Sequence, residues 1–378
     1  MKKLLILGAG QMQVPVIQRA KEFGVETYVV DMSAEAPGLK YADHYEVIDT
    51  NDKEHVLEYA RRCSIDGLLT TSDYPVNVVA FVSNELNLAG KLSPEVAALC
   101  TNKFKEREFL HSHGFKCPKY RLVSTLEEAK QTDYFPCMVK PVDSSASRGV
   151  MKVHNMEELV REFPISLDYS RSGKVIIEEF IGGKEFSVET LTQNNKTEVI
   201  QITEKLCIGE EKGYFVEDTH IEPARIPEST ANDIRKTVTE ILTAMGFNNC
   251  PSHTELKVAD DGIYIIEIAC RLGGDYITSD LVPLSTGVSM LDNLIRLSLG
   301  EPIDTTRTKN DYSMVQFLNP SNYDRCVDFV GKNKESIFRS EIHPYQNVEI
   351  KSSLDRLGYI ILSRPTKNEI EEVLNIIK

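Results

Sequence analysis

Two glutamates stand in the middle of stretches that otherwise look like buried β-strands. Glu255 lies in the alternating segment 253–258, and Glu267 lies in the largely apolar segment 263–268. The turn Asp260–Gly262 between them predicts a hairpin with a three-residue loop, whose glycine takes the left-handed conformation. In that register Glu255 faces Glu267 directly across the two strands.

Like charges opposite each other on a sheet repel, and partial burial makes each carboxylate harder to ionise. We therefore expect a positive partner that the hairpin itself does not supply. A divalent cation is the natural candidate, because Mg²⁺ is held by one or two carboxylates together with phosphate oxygens. The alternative is a bulge that shifts the register, so that both acids point to water.

A lysine and the turn after it point to a phosphate ligand. Lys140 stands in the apolar stretch 137–142, where an ammonium group is costly unless it meets an anion. The turn at 143–149 is rich in small residues and hydroxyls, and its backbone N–H groups could fold over phosphates. A solvated lysine and a plain surface turn are the alternatives.

Composition narrows the class of protein. The chain has 378 residues, 41% of them apolar and 26% charged, as in ordinary globular proteins with two or three domains. A net charge of −14 argues against nucleic acid or an anionic membrane as a partner. The eight cysteines form no C-x-x-C pair, so we expect reduced thiols, no zinc site, no disulfide framework and a cytoplasmic location.

The pattern of elements changes along the chain. Strand-like and helix-like stretches alternate up to about residue 90, which predicts a parallel, doubly wound α/β sheet. A helical stretch follows at 93–113, and residues 114 to 300 read as antiparallel α+β structure. In the last part we expect strands near 312–318, 346–351 and 358–363 and an amphipathic helix over 367–378.

The first strand-to-helix turn, Gly8–Gln13, is a weak match to a dinucleotide-binding fingerprint. Asp31 ends the second strand, about where an acid that binds ribose would stand, but Gln13 replaces the third glycine. A phosphate cradle and a tight turn that any such sheet needs both explain the motif, and we favour the tight turn.

Four stretches of the chain, taken together, resemble the ATP-grasp superfamily. They are TNKFKEREFLHSHG from residue 101, CMVKPVDSSASRGV from 137, VIIEEFIGGKEFSVE from 175, and the hairpin. The closest likeness is to carboxylate–amine ligases related to L-amino-acid ligases, and to the synthetase domains of carbamoyl phosphate synthase. The resemblance implies a pre-ATP-grasp α/β domain at 1–90, a helical linker at 91–113, a small lobe at 114–185, and a large lobe at 186–378 with a C-terminal subdomain from about 300.

The resemblance also implies an ATP site. Lysines and a serine loop would bind the phosphates, Glu178 would accept a hydrogen bond from the adenine amino group, the backbone at 179–181 would line the adenine edge, and Glu185 would hold the ribose. The implied ATP-binding residues are Lys103, Lys140, Ser144, Ser145, Ser147, Glu178, Glu179, Phe180, Ile181 and Glu185.

Glu255 and Glu267 match the metal-binding acids of the superfamily. The resemblance therefore implies two Mg²⁺ ions that bridge ATP phosphates, with Mn²⁺ able to substitute. Many relatives have Asn two residues after the second acid, and here that position is Ala269. This difference leaves the second metal to Glu267 and water.

Other matched positions imply catalytic and substrate-binding roles. Arg271, Lys140 and Arg148 are the implied catalytic residues, with Arg271 at the transferred phosphate or the acyl phosphate. The implied substrate pocket contains Lys205, His220, Arg271, Gly273 and Gly274, and Arg225 lies beside it. A lone histidine is more often structural than functional.

The resemblance implies an enzyme that uses MgATP to convert a carboxylate into an acyl phosphate, which an amine then attacks. Its partners would be a small carboxylate and a small amine, and a homodimer is compatible with this interpretation. The alternative within the superfamily is a carboxylase or carbamoyl-type ligase that uses bicarbonate. From other classes, a nicotinamide-dependent oxidoreductase would depend on Gly8, Gly10 and Asp31, and a silent nucleotide-binding module would lack the two metal acids.

Overall fold

The computed structural model describes residues 1–144 and 148–378. The chain begins with a four-stranded parallel sheet in the order β3-β2-β1-β4. Its strands are β1 (Lys3–Leu7), β2 (Glu26–Asp31), β3 (His44–Val47) and β4 (Gly67–Thr70). The helices that accompany them are α1 (Val14–Glu22), α2 (Lys53–Cys63) and α3 (Val76–Glu85). The predicted parallel α/β sheet is confirmed.

The helical stretch predicted at 93–113 is two helices, α4 (Pro94–Cys100) and α5 (Lys103–Ser112). The break falls at Asn102, which has an extended backbone and accepts a hydrogen bond from the Lys105 N–H through its side chain. Asparagine is a preferred N-cap because its side-chain oxygen satisfies a backbone donor of the first turn. The cap starts α5 at Lys103, whose N–H donates to the carbonyl of Val142.

A second sheet is antiparallel, with four strands in the order β5-β8-β6-β7. Two helices, α6 (Leu126–Ala129) and α7 (Met156–Asp168), belong to the same part of the chain. The strands are β5 (Tyr120–Val123), β6 (Cys137–Pro141), β7 (Met151–Val153) and β8 (Val175–Glu179). Lys140 on β6 pairs with Ile176, and Met138 pairs with Glu178, so Lys140 and Glu178 are diagonal neighbours.

The third sheet has eight antiparallel strands in the order β13-β12-β9-β10-β11-β14-β16-β15. They are β9 (Lys184–Gln193), β10 (Lys196–Ile208), β11 (Val216–Glu222), β12 (Cys250–Ala259), β13 (Gly262–Ala269), β14 (Tyr312–Phe317), β15 (Arg339–Ile342) and β16 (Gly358–Arg364). The remaining helices are α8 (Glu228–Met245), α9 (Val282–Thr286), α10 (Met290–Ser298), α11 (Tyr323–Lys332) and α12 (Lys367–Ile377). Short 3-10 turns occupy Gln11–Gln13, Leu39–Tyr41, Glu210–Lys212, Lys334–Ser336 and Ser353–Asp355, and a π-helical turn occupies Ile277–Leu281.

The strand expected near 346–351 was placed wrongly. That segment has no strand partner among the described residues, and most of it is exposed. The strand that pairs with β16 is β15, at Arg339–Ile342. The alternation of polar and apolar residues at 346–351 imitates a strand, but the edge of the sheet is already covered by β15.

The hairpin of β12 and β13 differs from the prediction in its turn but not in its central pair. Ala259 pairs with Gly262, so the loop contains two residues rather than three. A bulge at Ile266 then shifts the register by one residue and returns Glu255 to a position opposite Glu267. The predicted pair is therefore present, although the predicted loop is wrong.

One apolar cluster joins the parallel sheet to the eight-stranded sheet. Leu4 and Ile6 of β1 share it with Leu191 of β9 and Ile295 of α10, and all four side chains are fully buried. Burial of each contributes roughly 1.5–3 kcal/mol. The same cluster contains Leu69, beside the carboxyl end of β4.

Within the described part of the chain, none of the helices combines the length and the apolar character that crossing a membrane requires.

Candidate active site

Residues of the two antiparallel sheets, of α5 and of the loop after β4 line one cleft of about 490 Å³. The cleft brings together most of the residues singled out in the sequence. These are Lys103, Lys140, Ser144, Arg148, Glu178, Glu179, Phe180, Ile181, Glu185, Lys205, His220, Glu255, Glu267, Arg271 and Gly274. Ser145 and Ser147 lie outside the described residues.

Two positions expected at the substrate pocket do not line the cleft. Gly273 packs against a histidine and an acid, and a Cβ there would lie 2.7 Å from His253 Nδ1 and 2.9 Å from Glu189 Oε2. Its lack of a side chain serves internal packing rather than close approach of a substrate. Arg225 pairs with Glu204 at 2.8 Å and is also absent from the lining.

The ammonium of Lys140 meets an anion within the chain. Its Nζ lies 2.6 Å from Glu178 Oε2, and the Nε of Arg107 lies 2.7 Å from Glu178 Oε1. Both contacts are close ion pairs, although their angles fall outside hydrogen-bond geometry. The expectation that Lys140 needs a nucleotide phosphate to offset its charge is therefore wrong, because Glu178 already does so.

Glu178 is fully buried and holds two cations. Burial acts to raise the pKa of Glu178, but the charges of Arg107 and Lys140 outweigh it and lower that pKa to about 2. Each carboxylate oxygen of Glu178 contacts one of these cations. A hydrogen bond from an adenine amino group, as expected from the sequence, would therefore be an additional contact on an oxygen that already has a partner. In this structure Glu178 positions Lys140.

Arg107 was not singled out from the sequence. It lies on α5 one turn after Lys103, and its side chain is fully buried between Glu106 at 2.6 Å and Glu178. Residues four apart share one face of a helix, so the spacing from Lys103 was the available signal. Burial raises the pKa of Glu106 to about 7 despite the charge of Arg107. Glu106 Oε2 accepts from the Ile268 N–H at 2.9 Å, which ties α5 to β13.

Lysines from other elements offset the charges of the two acids of the hairpin. Lys205 Nζ lies 2.6 Å from Glu255 Oε1, and Lys103 Nζ lies 3.0 Å from Glu267 Oε1. His253 Nε2 also contacts Glu255 Oε1 at 3.3 Å. The expected repulsion between the acids is thus relieved without an added cation, which corrects the argument that a positive charge is missing from the chain.

The two acids nevertheless fit Mg²⁺ in the way that phosphate-bridging sites do. Their side chains are 23% and 34% exposed, on adjacent strands that line the cleft. Among the described residues there is no group of three or more histidines, cysteines or acids that could hold a metal ion. Two carboxylates are what Mg²⁺ takes when phosphate oxygens and water complete its shell.

His253 was overlooked although it belongs to the same hairpin. It lies two residues before Glu255, so the two side chains share one face of β12. Its Nδ1 lies 2.6 Å from the fully buried Glu189, and the charges of Glu189 and Glu255 outweigh burial and raise the pKa of His253 to about 9. The alternation of the strand was the signal that could have found it.

The segment expected at the adenine edge has one unused backbone donor. The Glu179 N–H donates to the Lys119 carbonyl at 2.8 Å, and the Phe180 N–H donates to the Pro136 carbonyl at 3.1 Å. Within residues 1–144 and 148–378, no acceptor lies on the N–H of Ile181. The Phe180 ring lies 6.0 Å from the ring of Phe215, with cations over its face. The structure thus places a tilted pair of aromatic rings, with Lys152 and Lys257 over the Phe180 ring, beside an N–H group that has no acceptor among the described residues.

Arg271 meets an acid from the parallel sheet. Its Nε donates to Asp73 Oδ1 at 2.6 Å, and Asp73 lies in the loop that follows β4. Ligands of open α/β sheets bind beyond the carboxyl ends of the strands, so the position of Asp73 was a signal that the sequence contained. Arg148 contacts the hydroxyl of the neighbouring Tyr74.

The Gly8–Gln13 turn is used within the parallel sheet. The Ala9 N–H donates to Asp31 Oδ2 at 2.7 Å, and the Ser33 N–H donates to Asp31 Oδ1 at 2.9 Å. Both oxygens of Asp31 therefore accept backbone hydrogen bonds instead of facing the cleft. This geometry supports the tight-turn interpretation.

Comparison with known proteins gives matches over most of the chain. The ATP-grasp domain family matches residues 134–280, and the ribonucleotide synthetase preATP-grasp domain family matches residues 1–99. The formate-dependent phosphoribosylglycinamide formyltransferase of a Nitratiruptor species is 30% identical over 275 residues, which are 71% of this chain and 69% of that protein.

Solved structures share the fold over the whole chain. An L-amino acid ligase from Bacillus licheniformis superposes with a TM-score of 0.83 and 23% identity, covering 100% of this chain and 98% of that one. A phosphoribosylglycinamide synthetase from Anaerococcus prevotii gives a TM-score of 0.75 and 23% identity, with 100% and 97% covered. The two family models and the sequence relative, together with the motifs and the cleft, show that the chain belongs to the ATP-grasp superfamily and is an ATP-dependent ligase that joins a carboxylate to an amine.

Proposed function

We propose that the cleft binds MgATP and a small carboxylate side by side and forms an acyl phosphate there. A carboxylate oxygen of the substrate attacks the γ-phosphorus, and the bond between that phosphorus and the leaving oxygen of ADP breaks. The amine nitrogen then bonds to the acyl carbon while the carbon–oxygen bond to phosphate breaks and one proton leaves the nitrogen. ADP and phosphate are the other products.

The convergence of Lys103, Glu255, Glu267 and Arg271 on one cleft carries this proposal. Phosphoryl transfer needs little covalent help from a protein, because positioning and neutralisation of charge supply most of the rate. When bound at Glu255 and Glu267, Mg²⁺ would supply charge neutralisation at the phosphate oxygens. The chain itself supplies the cations and the two carboxylates.

Each residue has a role that follows from its surroundings. Lys103 exchanges Glu267 for a phosphate oxygen when nucleotide enters, since its ammonium has only that acid and the Ser144 carbonyl as partners among the described residues. Lys140 is held rigid by Glu178 and acts as a fixed charge. Arg271, aligned by Asp73, faces the transferred phosphate.

The adenine would lie against Phe180, with the Ile181 N–H donating to its edge. Glu185 is already paired with Lys205 at 3.2 Å, and it would take the ribose hydroxyls through its other oxygen. The two-metal arrangement, the homodimer and the cytoplasmic location remain predictions.

Release of ADP tests this function directly. The enzyme is incubated with MgATP and with pairs of acids and amines, and ADP and the amide product are measured by mass spectrometry. Glu267→Gln should reduce ADP release by more than the roughly 10–100-fold that loss of an outer partner costs at a metal site.

Glu54→Gln, at an exposed position on α2, is the matched control and should keep full activity. The thermal unfolding midpoint without nucleotide shows whether Glu267→Gln keeps its fold. Near-normal ADP release from folded Glu267→Gln would refute the metal assignment.

A further inference from the structure

A buried histidine lies beside one of the two acids assigned to the metal. His253 precedes Glu255 by two residues on β12, so the two side chains point to the same face of the sheet. Its Nε2 lies 3.3 Å from Glu255 Oε1, and its Nδ1 lies 2.6 Å from Glu189 Oε1. An ionised carboxylate only accepts hydrogen bonds. Both ring nitrogens therefore donate, and His253 is an imidazolium that joins the two acids.

The acid on the far side of the ring is dedicated to this histidine. Glu189 lies on β9 in register with His253, and it is fully buried. Its Oε1 also accepts from the Ser187 hydroxyl at 3.3 Å, whereas its Oε2 has no hydrogen-bond partner among the described residues. Within the same residues, His253 is the one cation at ion-pair distance from Glu189. A buried carboxylate needs such a partner, so the ring is held firmly from behind.

Gly273 leaves the space that this pair occupies. A Cβ at position 273 would lie 2.7 Å from His253 Nδ1 and 2.9 Å from Glu189 Oε2. Both distances are far shorter than an ordinary non-bonded contact of roughly 3.5–4.0 Å. Because the ring and the acid are both buried, neither can move aside into solvent. The segment after β13 is therefore shaped around the pair.

The other cation beside Glu255 is shared among three acids. Lys205 Nζ lies 2.6 Å from Glu255 Oε1. It also lies 3.2 Å from Glu185 and 3.5 Å from Glu217. An ammonium group is a point charge on a flexible stem, so Lys205 attracts Glu255 without fixing the direction of its carboxylate. The ring of His253 is rigid and held from behind, and it donates to Glu255 from one direction only.

Both contacts fall on the same oxygen of Glu255. His253 and Lys205 each reach Oε1, and among the described residues no hydrogen bond reaches Oε2. The side chain is 23% exposed and lines the cleft. Oε2 is thus the oxygen that remains for an external ligand. Because the two oxygens belong to one rigid group, the contacts on Oε1 decide where Oε2 points.

Glu267, the second acid of the hairpin, has no comparable support. Among the described residues its one ion-pair partner is Lys103, at 3.0 Å, and its side chain is 34% exposed. Under the proposed function Lys103 leaves Glu267 for a phosphate oxygen when nucleotide binds. Glu255 is therefore the acid whose position is fixed before any ligand enters, and Glu267 is the acid that adjusts.

We propose that Glu189 and His253 are positioning residues for the metal site, and that they hold Oε1 of Glu255 so that Oε2 remains for the cation. The inference rests on the proposed function, which assigns the metal to Glu255 and Glu267. Partners that hydrogen-bond a metal-binding side chain contribute roughly 10–100-fold to metal affinity. Loss of the pair should therefore weaken the part of nucleotide binding that depends on the metal and spare the part that does not.

The test separates the metal from the nucleotide by a binding measurement. ADP is titrated calorimetrically into the whole enzyme, once with saturating Mn²⁺ and once with a chelator in place of the metal. Glutamine at position 253 has no positive charge and one side-chain nitrogen instead of two. We expect His253→Gln to raise the Kd for ADP about 10-fold with Mn²⁺ and less than about two-fold with the chelator.

A second variant tests the acid behind the ring. Glu189→Gln removes the charge and keeps the shape of the side chain, and it should cause the same loss with Mn²⁺. The double variant should bind about as weakly as either single variant, because members of one hydrogen-bonded network are not additive. His55→Gln is the matched control and should change neither Kd, since His55 lies 2.6 Å from Asp52 at an exposed position on α2, outside the cleft.

The outcomes distinguish positioning from packing. If the Kd for ADP rises equally with Mn²⁺ and with the chelator, or changes in neither, the pair serves packing alone; the inference is then overturned and the ligase function stands. Where thermal unfolding shows that His253→Gln does not fold, Glu189→Gln decides by the same criterion. If Mn²⁺ does not strengthen ADP binding by the parent enzyme, the metal assignment of the proposed function fails, and the inference fails with it.

Discussion

The ammonium of Lys140 and the guanidinium of Arg107 meet at the carboxylate of Glu178, so that three charges share one buried space. Such a group is costly to assemble, and removal of Glu178 leaves Lys140 buried without its acid and Arg107 with Glu106 alone. The group fixes the position of Lys140, because its diagonal pairing with Glu178 on the adjacent strand restricts the ammonium to a single position. A lysine free to move would have to be ordered each time nucleotide binds.

Glu178→Gln should lower the free energy of unfolding by about 3–5 kcal/mol, because it leaves Arg107 and Lys140 buried with no anion between them. Urea unfolding near neutral pH measures the loss. Because the folded-state pKa of Glu178 is about 2, below its ordinary 4.5, its contribution is present above pH 4.5 and is lost as the pH falls through 2.

Glu228→Gln is the control for that measurement, since its side chain is 76% exposed and pairs with Arg235 at the surface. Exposed pairs contribute about 0–1 kcal/mol, so this variant should unfold almost as the parent does. Equal losses in the two variants would show that the buried group contributes no more than a surface pair.

At the scale of elements, the start of α5 and the hairpin of β12 and β13 set the geometry of the phosphate end. Asn102 begins α5 so that Lys103 faces Glu267, and the bulge at Ile266 keeps Glu267 opposite Glu255. Glu106 connects the helix to the strand through the Ile268 N–H. A shift of either element would therefore move the other.

Asn102→Ala should cost about 1 kcal/mol of stability through loss of the cap, and it should also weaken ATP binding because Lys103 loses its fixed start. Calorimetric titration with an ATP analogue measures the affinity. Asn155→Ala removes an equivalent cap from α7, where Asn155 accepts from the Glu158 N–H at 3.0 Å. Asn155→Ala should lose a similar amount of stability and keep its affinity for the ATP analogue. Equal affinities in the two variants would show that the α5 cap does not contribute to ATP binding.

For the whole molecule, the parallel sheet contributes to the cleft rather than standing apart from it. The cluster around Leu4 and Leu191 fixes it against the eight-stranded sheet, and Asp73 reaches Arg271 across that junction. Tyr74, beside it, contacts Arg148 from the other wall of the cleft. The loop after β4 thus contacts two arginines whose catalytic roles are predictions from the family resemblance.

Asp73→Asn should lower the rate of ADP release and leave nucleotide affinity unchanged, because it frees the Arg271 guanidinium without touching the adenine wall. Single-turnover kinetics separate the phosphoryl transfer step from binding. Asp328→Asn, on the exposed face of α11, is the surface control. A loss of ATP affinity equal to the loss of rate would mean that Asp73 supports the whole cleft and not Arg271 alone.

Local patterns in the sequence were sufficient to predict most helices and strands and the pairing of Glu255 with Glu267. Alternation between strand and helix predicted the parallel sheet, and the apolar runs around Glu255 and Glu267 predicted their pairing. These are short-range signals, because periodicity and turn chemistry act over a few residues. The same locality explains the errors: the segment 346–351 looks like a strand, and the Asp260–Gly262 turn gave no sign of the compensating bulge at Ile266.

Tertiary structure decided the partners of the charges. Nothing near Lys140 in the chain reveals that Glu178 and Arg107 will surround it, and nothing near Glu267 reveals Lys103. Asp73 and Arg356 come from opposite parts of the chain. Asp73 reaches the site at the junction of the sheets, and Arg356 reaches it from the loop before β16. The sequence determined which residues carry charge and which elements bear them. Which charges meet, and which oxygens remain for a ligand, depended on long-range packing, since a buried charge is stable only beside a partner that the fold brings to it.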